Sequence, residues 1–125
     1  MHTALLAALA PALLVQASAA APLTDFAQLP ATEVAAPRCA IAFGLVGQWQ
    51  QASEPRGKAW PDMAATGGRE FFVQAMAQLM DSRRLDRAAL IAMVARESER
   101  LQAAGDGTIA AMMPACLSLK AAAGL

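Results

Sequence analysis

Apolar residues recur at steps of three and four positions in four stretches of the chain, the spacing that places them on one face of a helix. The first predicted helix covers residues 37–52 and the second covers residues 67–82. The third covers residues 86–104, with Asp86 as its N-cap, and the fourth covers residues 106–119. Because the connections are short, the pattern predicts a small all-α four-helix bundle.

The fourth stretch predicts a helix buried on several sides. Its apolar side chains cover most of the helix circumference, so we expect residues 106–119 at the centre of the molecule. Gly105 should end the preceding helix, and Asp106 should cap this one. Pro114 should kink or split the helix, because its ring clashes with the carbonyl of Ala110 and removes one hydrogen bond.

The loop at residues 53–66 brings in a candidate binding patch. The buried stripe expected on the second helix consists of Phe72, Ala75, Met76, Leu79 and Met80. Phe71 points about 100° away from Phe72, which leaves it outside that stripe. If the loop residues Trp60 and Met63 pack down, they join Phe71 in the core. If they do not, the three side chains form an exposed apolar patch of the kind that marks an interaction site.

Two glycines in the first predicted helix have no purely local reason to be there. Gly44 and Gly47 each cost about 1 kcal/mol of helix stability relative to alanine. They indicate either close packing against a neighbouring helix or a face that is kept open for a ligand. Close packing is the simpler interpretation and is the one we expect.

The beginning of the chain predicts export. Residues 5–15 are an apolar run of the length found in signal peptides, and Ala17-Ser18-Ala19 is a small-residue cleavage site. The alternatives are a buried helix and a membrane anchor, but Pro11 interrupts the run and about 20 apolar residues are needed to cross a bilayer. We therefore expect three parts: a cleaved signal peptide at residues 1–20, an extended or disordered arm at residues 21–36, and a helical domain at residues 37–123.

Two cysteines predict one disulfide. In an exported protein, Cys39 and Cys116 are most simply paired, which would join the first predicted helix to the fourth. The bond would close a loop of nearly the whole domain, worth about 4–5 kcal/mol on the chain-entropy model. A redox-active pair usually has Cys-X-X-Cys spacing, and this chain has none.

Composition excludes several classes of function. Ten basic and ten acidic residues give no net charge, and no basic patch indicates a nucleic-acid partner. The single histidine, His2, leaves with the predicted signal peptide, so Ser–His and Cys–His nucleophile pairs cannot be built in the exported protein. No Gly-rich phosphate loop is present. We expect neither enzymatic activity nor a cofactor.

Methionine offers one alternative chemistry. Thioether sulfurs bind Cu(I), and the candidates for such a site are Met76, Met80, Met112 and Met113. The common histidine partner is missing, however, and methionine is also an adaptable core filler. The core interpretation is therefore favoured over copper handling.

A short motif gives a second alternative. Ala95-Arg96-Glu97-Ser98, followed by Met112-Met113-Pro114, resembles the Glu-Ser and Met-Pro elements of lytic transglycosylases. The resemblance implies a glycan-cleaving enzyme with Glu97 as its catalytic acid. The chain lacks the Gly-Leu-Met-Gln element of that family, and Glu97 is better explained by an ion pair. The candidate partners for that ion pair are Arg38, Arg83 and Arg100.

Together these observations predict a small, exported, non-enzymatic helical protein that is periplasmic or secreted. We expect it to bind a protein partner or an apolar ligand, with no membrane contact after signal cleavage, and its oligomeric state is left open. In size and class it is similar to periplasmic acid-stress chaperones and small periplasmic inhibitors, although it shares no motif with them.

Overall fold

The computed structural model describes residues 22–125, so the predicted signal peptide lies outside the described residues. A short 3-10 turn at Phe26–Gln28 precedes the first helix. The helices are α1 (Ala31–Gln51), α2 (Gly68–Arg83), α3 (Arg87–Ala104) and α4 (Asp106–Ala122), with a second 3-10 turn at Pro55–Gly57 between α1 and α2. The part of the chain described contains no strand, and the prediction of an all-α four-helix bundle is confirmed.

The central helix is α1, which packs against each of the other three helices. Its buried residues point in every direction from the helix axis: Val34, Pro37, Cys39, Ala40, Ile41, Ala42, Phe43, Leu45, Val46 and Trp49. By contrast, α4 buries only Ile109, Met113, Cys116 and Lys120. The prediction that residues 106–119 form the centre is therefore wrong. Because α4 packs on α1 and α3 from one side, several of its apolar residues remain partly in solvent.

The start of α1 differs from the prediction. The helix begins at Ala31 after Pro30, so the expected boundary at Pro37 is six residues too late. Pro37 lies inside α1 and is buried. A proline at that position leaves the carbonyl of Glu33 without its usual helical donor. Its missing N–H has no such cost in the first turn of a helix, which is why the sequence alone places Pro37 at the helix start. The predicted arm at residues 21–36 is thus partly helix.

The segment before α1 packs on the core. Phe26 is 1% exposed and Leu29 is 7% exposed, so both count among the core side chains. The Asp25 carboxylate accepts a hydrogen bond from the N–H of Ala27 at 2.8 Å, and the Asp25 N–H donates to the Gln28 side chain at 3.0 Å. Reciprocal capping of this kind fixes a turn, so the described part of the predicted arm is ordered by local hydrogen bonds and by burial.

The predicted disulfide is confirmed. Cys39 in α1 is bonded to Cys116 in α4, with 5.2 Å between the Cα atoms and a sequence separation of 77. Both cysteines are buried. The bond therefore joins the central helix to the last one.

The link between α3 and α4 is a single residue. Gly105 ends α3, as predicted, with φ +97° and ψ 165°, a conformation that is essentially restricted to glycine. The prediction that Asp106 caps α4 is wrong, because Gly105 also holds the N-cap position and no side chain caps the helix. Asp106 instead accepts from Arg56 at 2.7 Å. Its side chain therefore joins the start of α4 to the loop after α1.

Pro114 lies inside α4, which runs as one helix from Asp106 to Ala122. The alternative of a helix split in two at this proline is therefore wrong. Since the proline nitrogen carries no hydrogen, the carbonyl of Ala110 has no donor at the usual position. The hydroxyl of Ser118 donates to the Pro114 carbonyl at 3.2 Å one turn later.

Two helices flank α1 in opposite directions. The end of α2 meets the start of α1, because Arg83 pairs with Glu33 at 2.5 Å, so the two helices are antiparallel. The α3 helix runs in the same direction as α1, since Glu97 pairs with Arg38 and Gln102, further along α3, lines the same cavity as Gln48, further along α1. The helices α2 and α3 touch each other little, which leaves a gap between them above α1.

None of the helices among residues 22–125 combines the length and apolar character needed to cross a membrane.

Candidate binding groove

The predicted patch of Trp60, Met63 and Phe71 is packed into the molecule. Met63 is 3% exposed and Phe71 is 4% exposed, while Trp60 is half-buried against the core. The Phe71 ring stands edge-on to Phe43 with 5.4 Å between the ring centroids. Of the two alternatives for these three residues, the packed one therefore describes them.

The buried stripe predicted for α2 is wrong in its rotation about the helix axis. Its buried residues are Gly68, Phe71, Ala75, Met76 and Leu79, whereas Phe72 is half-buried. With two adjacent phenylalanines, either one could face the core, and Gly68 is the sequence feature that decides between them. A Cβ at Gly68 would lie 2.9 Å from the carbonyl oxygen of Met63, so a glycine is required where α2 packs most closely.

A groove lies between α2 and α3, with α1 as its floor. Its volume is about 600 Å³, and it is open to solvent along one side. The α1 residues of the floor include Gly44, Gly47, Gln48 and Gln51. The walls include Arg69 and Phe72 from α2, and Val94 and Ser98 from α3.

Gly44 leaves the floor of the groove bare. It is exposed in the middle of α1, and a Cβ built on it would meet no atom within 4 Å. A Cβ on Gly47 would make an ordinary contact with Met63 at 3.7 Å. Close packing is therefore not the reason for Gly44, and that expectation is wrong. The open-face interpretation fits this position instead.

Both exposed large hydrophobic residues of the described chain lie on the helices that form the walls, but neither is among the residues that line the groove. Val73 is 58% exposed and Ile91 is 57% exposed. Val73 follows Phe72 on α2, and Ile91 lies one helical turn before Val94 on α3. The apolar side chains that do line the walls are Phe72 and Val94, both half-buried. Single exposed apolar residues are common on protein surfaces, so Val73 and Ile91 do not by themselves mark a site.

The charged groups of the groove lie on the first turn of α2. Arg69 is exposed, and among residues 22–125 no carboxylate lies within ion-pair distance of its guanidinium. The Glu70 carboxylate turns back toward Gly67, where it would be 3.9 Å from a Cβ. Gln48 and Gln51 are neutral. The groove is thus apolar in its middle and carries one available positive charge at one end.

Glu97 lies in a network of ion pairs. It is 1% exposed, and its Oε1 accepts from the Arg38 Nε at 2.6 Å while its Oε2 accepts from Arg100. Arg100 also pairs with Asp25 at 2.9 Å. Of the three candidate partners, Arg38 and Arg100 contact Glu97, whereas Arg83 pairs with Glu33.

The hydrogen-bond partners of Asp25 change the pKa of its carboxyl group. The N–H of Ala27, and then the Arg100 guanidinium, lower the pKa of Asp25 below its usual range.

A catalytic acid must carry a proton within reach of the substrate. Both oxygens of Glu97 are held by guanidinium groups in a buried position, so the geometry favours a structural ion pair.

The methionines of the copper alternative occupy packing positions. Met76 and Met113 belong to the buried core, and Met80 and Met112 are half-buried against it. Residues 22–125 contain no cluster of three or more His, Cys, Asp or Glu side chains arranged to hold a metal ion.

Comparison of the chain with protein-family models, with curated proteins and with solved structures finds no match.

Proposed function

We propose that this protein is an exported, non-enzymatic binding protein whose groove takes up an apolar segment of a partner protein. The observation that carries the proposal is the groove itself, whose floor is bare at Gly44 and whose two walls carry the half-buried apolar side chains of Phe72 and Val94. An amphipathic segment that lays its apolar face into such a groove is a recurring mode of protein recognition.

The energy available from the walls alone is modest. Full burial of a Val or Phe side chain is worth about 1.5–3 kcal/mol. Since Phe72 and Val94 are already half-buried, their further burial contributes about 1 kcal/mol each. The apolar side chains of the partner that enter the groove must supply the rest of the affinity.

Export is supported by two separate features. The first is the signal-like sequence at residues 1–20, and the second is the Cys39–Cys116 disulfide, because such bonds persist mainly in oxidising compartments. We expect intact-mass measurement of the protein from an envelope or secreted fraction to show a chain that begins at Ala20 or Ala21. A chain that retains Met1 in that fraction contradicts the proposal.

Site-specific photo-crosslinking in living cells tests the binding site. We expect a photoreactive side chain at Phe72 to give a discrete adduct with another protein. The same group at Ala111, an exposed residue of α4, is the matched control and should give no such adduct. The substitution Gly44→Leu should abolish the Phe72 adduct, because it fills the groove. Equal labelling from both positions, or an adduct that survives Gly44→Leu, would argue against the groove as the site.

A further inference from the structure

We infer that the occupant of the groove is an amphipathic α-helix of the partner protein, which lies along α1 and carries an acidic residue near its carboxyl end. The inference rests on the proposed function and specifies the chemistry of the partner. It depends on three observations: the shape of the uncovered surface of α1, the glycine at its centre, and the charge at its end.

The uncovered surface of α1 has the form of a single helical stripe. Between Gly44 and Gln51, the groove residues of α1 are spaced at steps of three, one and three positions. Such spacing selects one side of a helix, and it is the surface that one neighbouring helix covers. The other sides of this part of α1 are buried by its packing in the bundle. One further helix would therefore complete the layer around α1.

The glycine allows that helix to approach closely. Helix axes pack 8–10 Å apart, depending on the side chains at the contact. Gly44 places no side chain at the contact, and its Cβ position is empty to 4 Å, so a Leu or Ala of the incoming helix can lie directly on the α1 backbone. At a rise of 1.5 Å per residue, the stretch from Gly44 to Gln51 spans about 10 Å, or two turns of an incoming helix.

The open side of the groove favours a helix over a small ligand. Small-molecule sites bury about 70–90% of their ligand. This groove is open along one side, so an acyl chain in it would keep much of its surface in water. A partner helix, in contrast, buries only its apolar face and keeps its polar face in solvent. Phe72 on one wall and Val94 on the other would contact that apolar face.

Arg69 and the helix dipole together set the direction of the partner helix, because the carboxyl end of a helix carries partial negative charge. Because α2 is antiparallel to α1, Arg69 at the start of α2 lies at the Gln51 end of the groove. A partner helix parallel to α1 would bring its last turn to Arg69, which has no carboxylate partner among the described residues. An acidic side chain there would form an ion pair that fixes orientation more than affinity.

The test uses the full disulfide-bonded protein and three synthetic peptides of about 15 residues, a length at which helices become marginally stable. The first is amphipathic, with Leu and Ala on one face and a Glu in its last turn. The second has a central proline that prevents the helix, and the third has Lys in place of that Glu. Calorimetric titration measures binding. We expect the first peptide to bind and the proline peptide to bind at least ten times more weakly.

Variants of the protein locate the binding. Gly44→Leu should weaken the first peptide at least tenfold without lowering the melting temperature, since its side chain projects into open space. Gly107→Ala, on α4 with no atom within 4 Å of the new Cβ, is the matched control and should bind as the parent does. Arg69→Glu should reverse the preference, so that the Lys peptide binds more tightly than the Glu peptide.

Each contrary result identifies another occupant. Equal binding of the helical and proline peptides, or no binding of either peptide, overturns the inference that the occupant is a helix. Laurate that binds instead, and is lost in Gly44→Leu, indicates an acyl chain. A dimer seen by sedimentation that Gly44→Leu dissociates indicates a second copy of this chain. If the Phe72 crosslink persists while the peptides fail, the proposed function stands and only the helix is wrong. If both fail, the groove is not a binding site.

Discussion

At the scale of single residues, the most constrained group is the carboxylate of Glu97. It sits at 1% exposure between two arginines, one from α1 and one from its own helix. A buried charge is tolerated only when it is paired and hydrogen-bonded, and both oxygens of Glu97 meet that condition. Through Arg100 the network continues to Asp25, which caps the turn before α1. The network therefore connects three segments that are distant in sequence.

Neutralising Glu97 should destabilise the fold. Removal of one partner from a fully buried ion pair costs about 3–5 kcal/mol. Arg38 and Arg100 keep 35% and 47% of their side-chain exposure, so we expect Glu97→Gln to lose less, about 2–3 kcal/mol of unfolding free energy. The measurement is chemical denaturation. The control is Glu33→Gln, whose exposed pair with Arg83 is worth at most about 1 kcal/mol. Similar losses in both variants would show that the burial of Glu97 contributes nothing.

The residue scale also shows what local pattern can and cannot predict. The disulfide partners were predictable because the chain has only two cysteines. An arginine partner for Glu97 was predictable because Arg100 lies three positions later on the same helix. The phase of α2 was not, because Phe72 fits the stripe expected from the apolar residues, whereas Phe71 fits the period that begins at Gly68. Gly68 decides the phase through a contact with the Met63 carbonyl, and that contact depends on the path of the preceding loop. Periodicity within one helix carries no information about that path.

At the scale of elements, the N-terminal turn is tied down by both apolar and ionic contacts. Phe26 and Leu29 are in the core, Asp25 pairs with Arg100, and Arg96 donates to the carbonyl of Thr24 at 2.5 Å. Sequence pattern failed here because a segment this short has no period to detect. Its order comes from two apolar side chains and from hydrogen bonds to α3.

The turn should make stability sensitive to acid. Asp25 has a lowered pKa in the folded protein, so it stabilises the fold above its unfolded pKa of about 3.9 and loses that contribution as the pH falls through its folded pKa. We expect the melting temperature of the parent to fall more steeply below about pH 4 than that of Asp25→Asn. The melting temperature of each protein, measured at about ten pH values between about pH 2.5 and 7, tests this difference. Asp81→Asn, an exposed position on α2, should follow the parent; coincident curves for the parent and Asp25→Asn would refute the role of Asp25.

The single-residue link between α3 and α4 gives a sharper prediction. Gly105→Ala should cost about 1–3 kcal/mol, because the backbone conformation at Gly105 is one that residues with a Cβ rarely adopt. Space is not the reason, since a Cβ there would meet nothing within 4 Å. Gly107→Ala, two positions later and equally open, should be neutral or slightly stabilising. Chemical denaturation separates the two, and an equally mild effect at both positions would exclude backbone strain.

At the scale of the whole molecule, the arrangement of helices around α1 creates the groove. The number of helices and the bounds of α2 and α3 followed from the sequence, because caps and periods mark them. The position of α1 at the centre did not, since alanine-rich helices look equally apolar whether they are surrounded or lie at one side. The groove could not be predicted either. It arises from the way α2 and α3 separate above α1, and no stretch of sequence describes that separation.

The disulfide should be a major stabiliser of this arrangement. Loss of a native disulfide from a small secreted domain costs about 2–5 kcal/mol. We expect reduction of the Cys39–Cys116 bond to lower the midpoint of guanidinium denaturation accordingly, with helical content retained before the transition. Reduction of the parent avoids any change in packing, and Cys39→Ala with Cys116→Ala serves as the comparison. An unchanged midpoint on reduction would mean that the bond does not constrain the unfolded chain.

The same bond turns part of the chain into a covalent ring. Residues 39–116 are closed on themselves, and the ring contains both walls of the groove as well as the exposed loop after α1. A protease that cuts this loop once opens the ring without releasing a fragment, because the two pieces stay joined through sulfur. Nicked protein would then migrate as one species until a thiol reductant is added. In an environment rich in proteases, a single cleavage would leave α2 and α3 still tethered to α1.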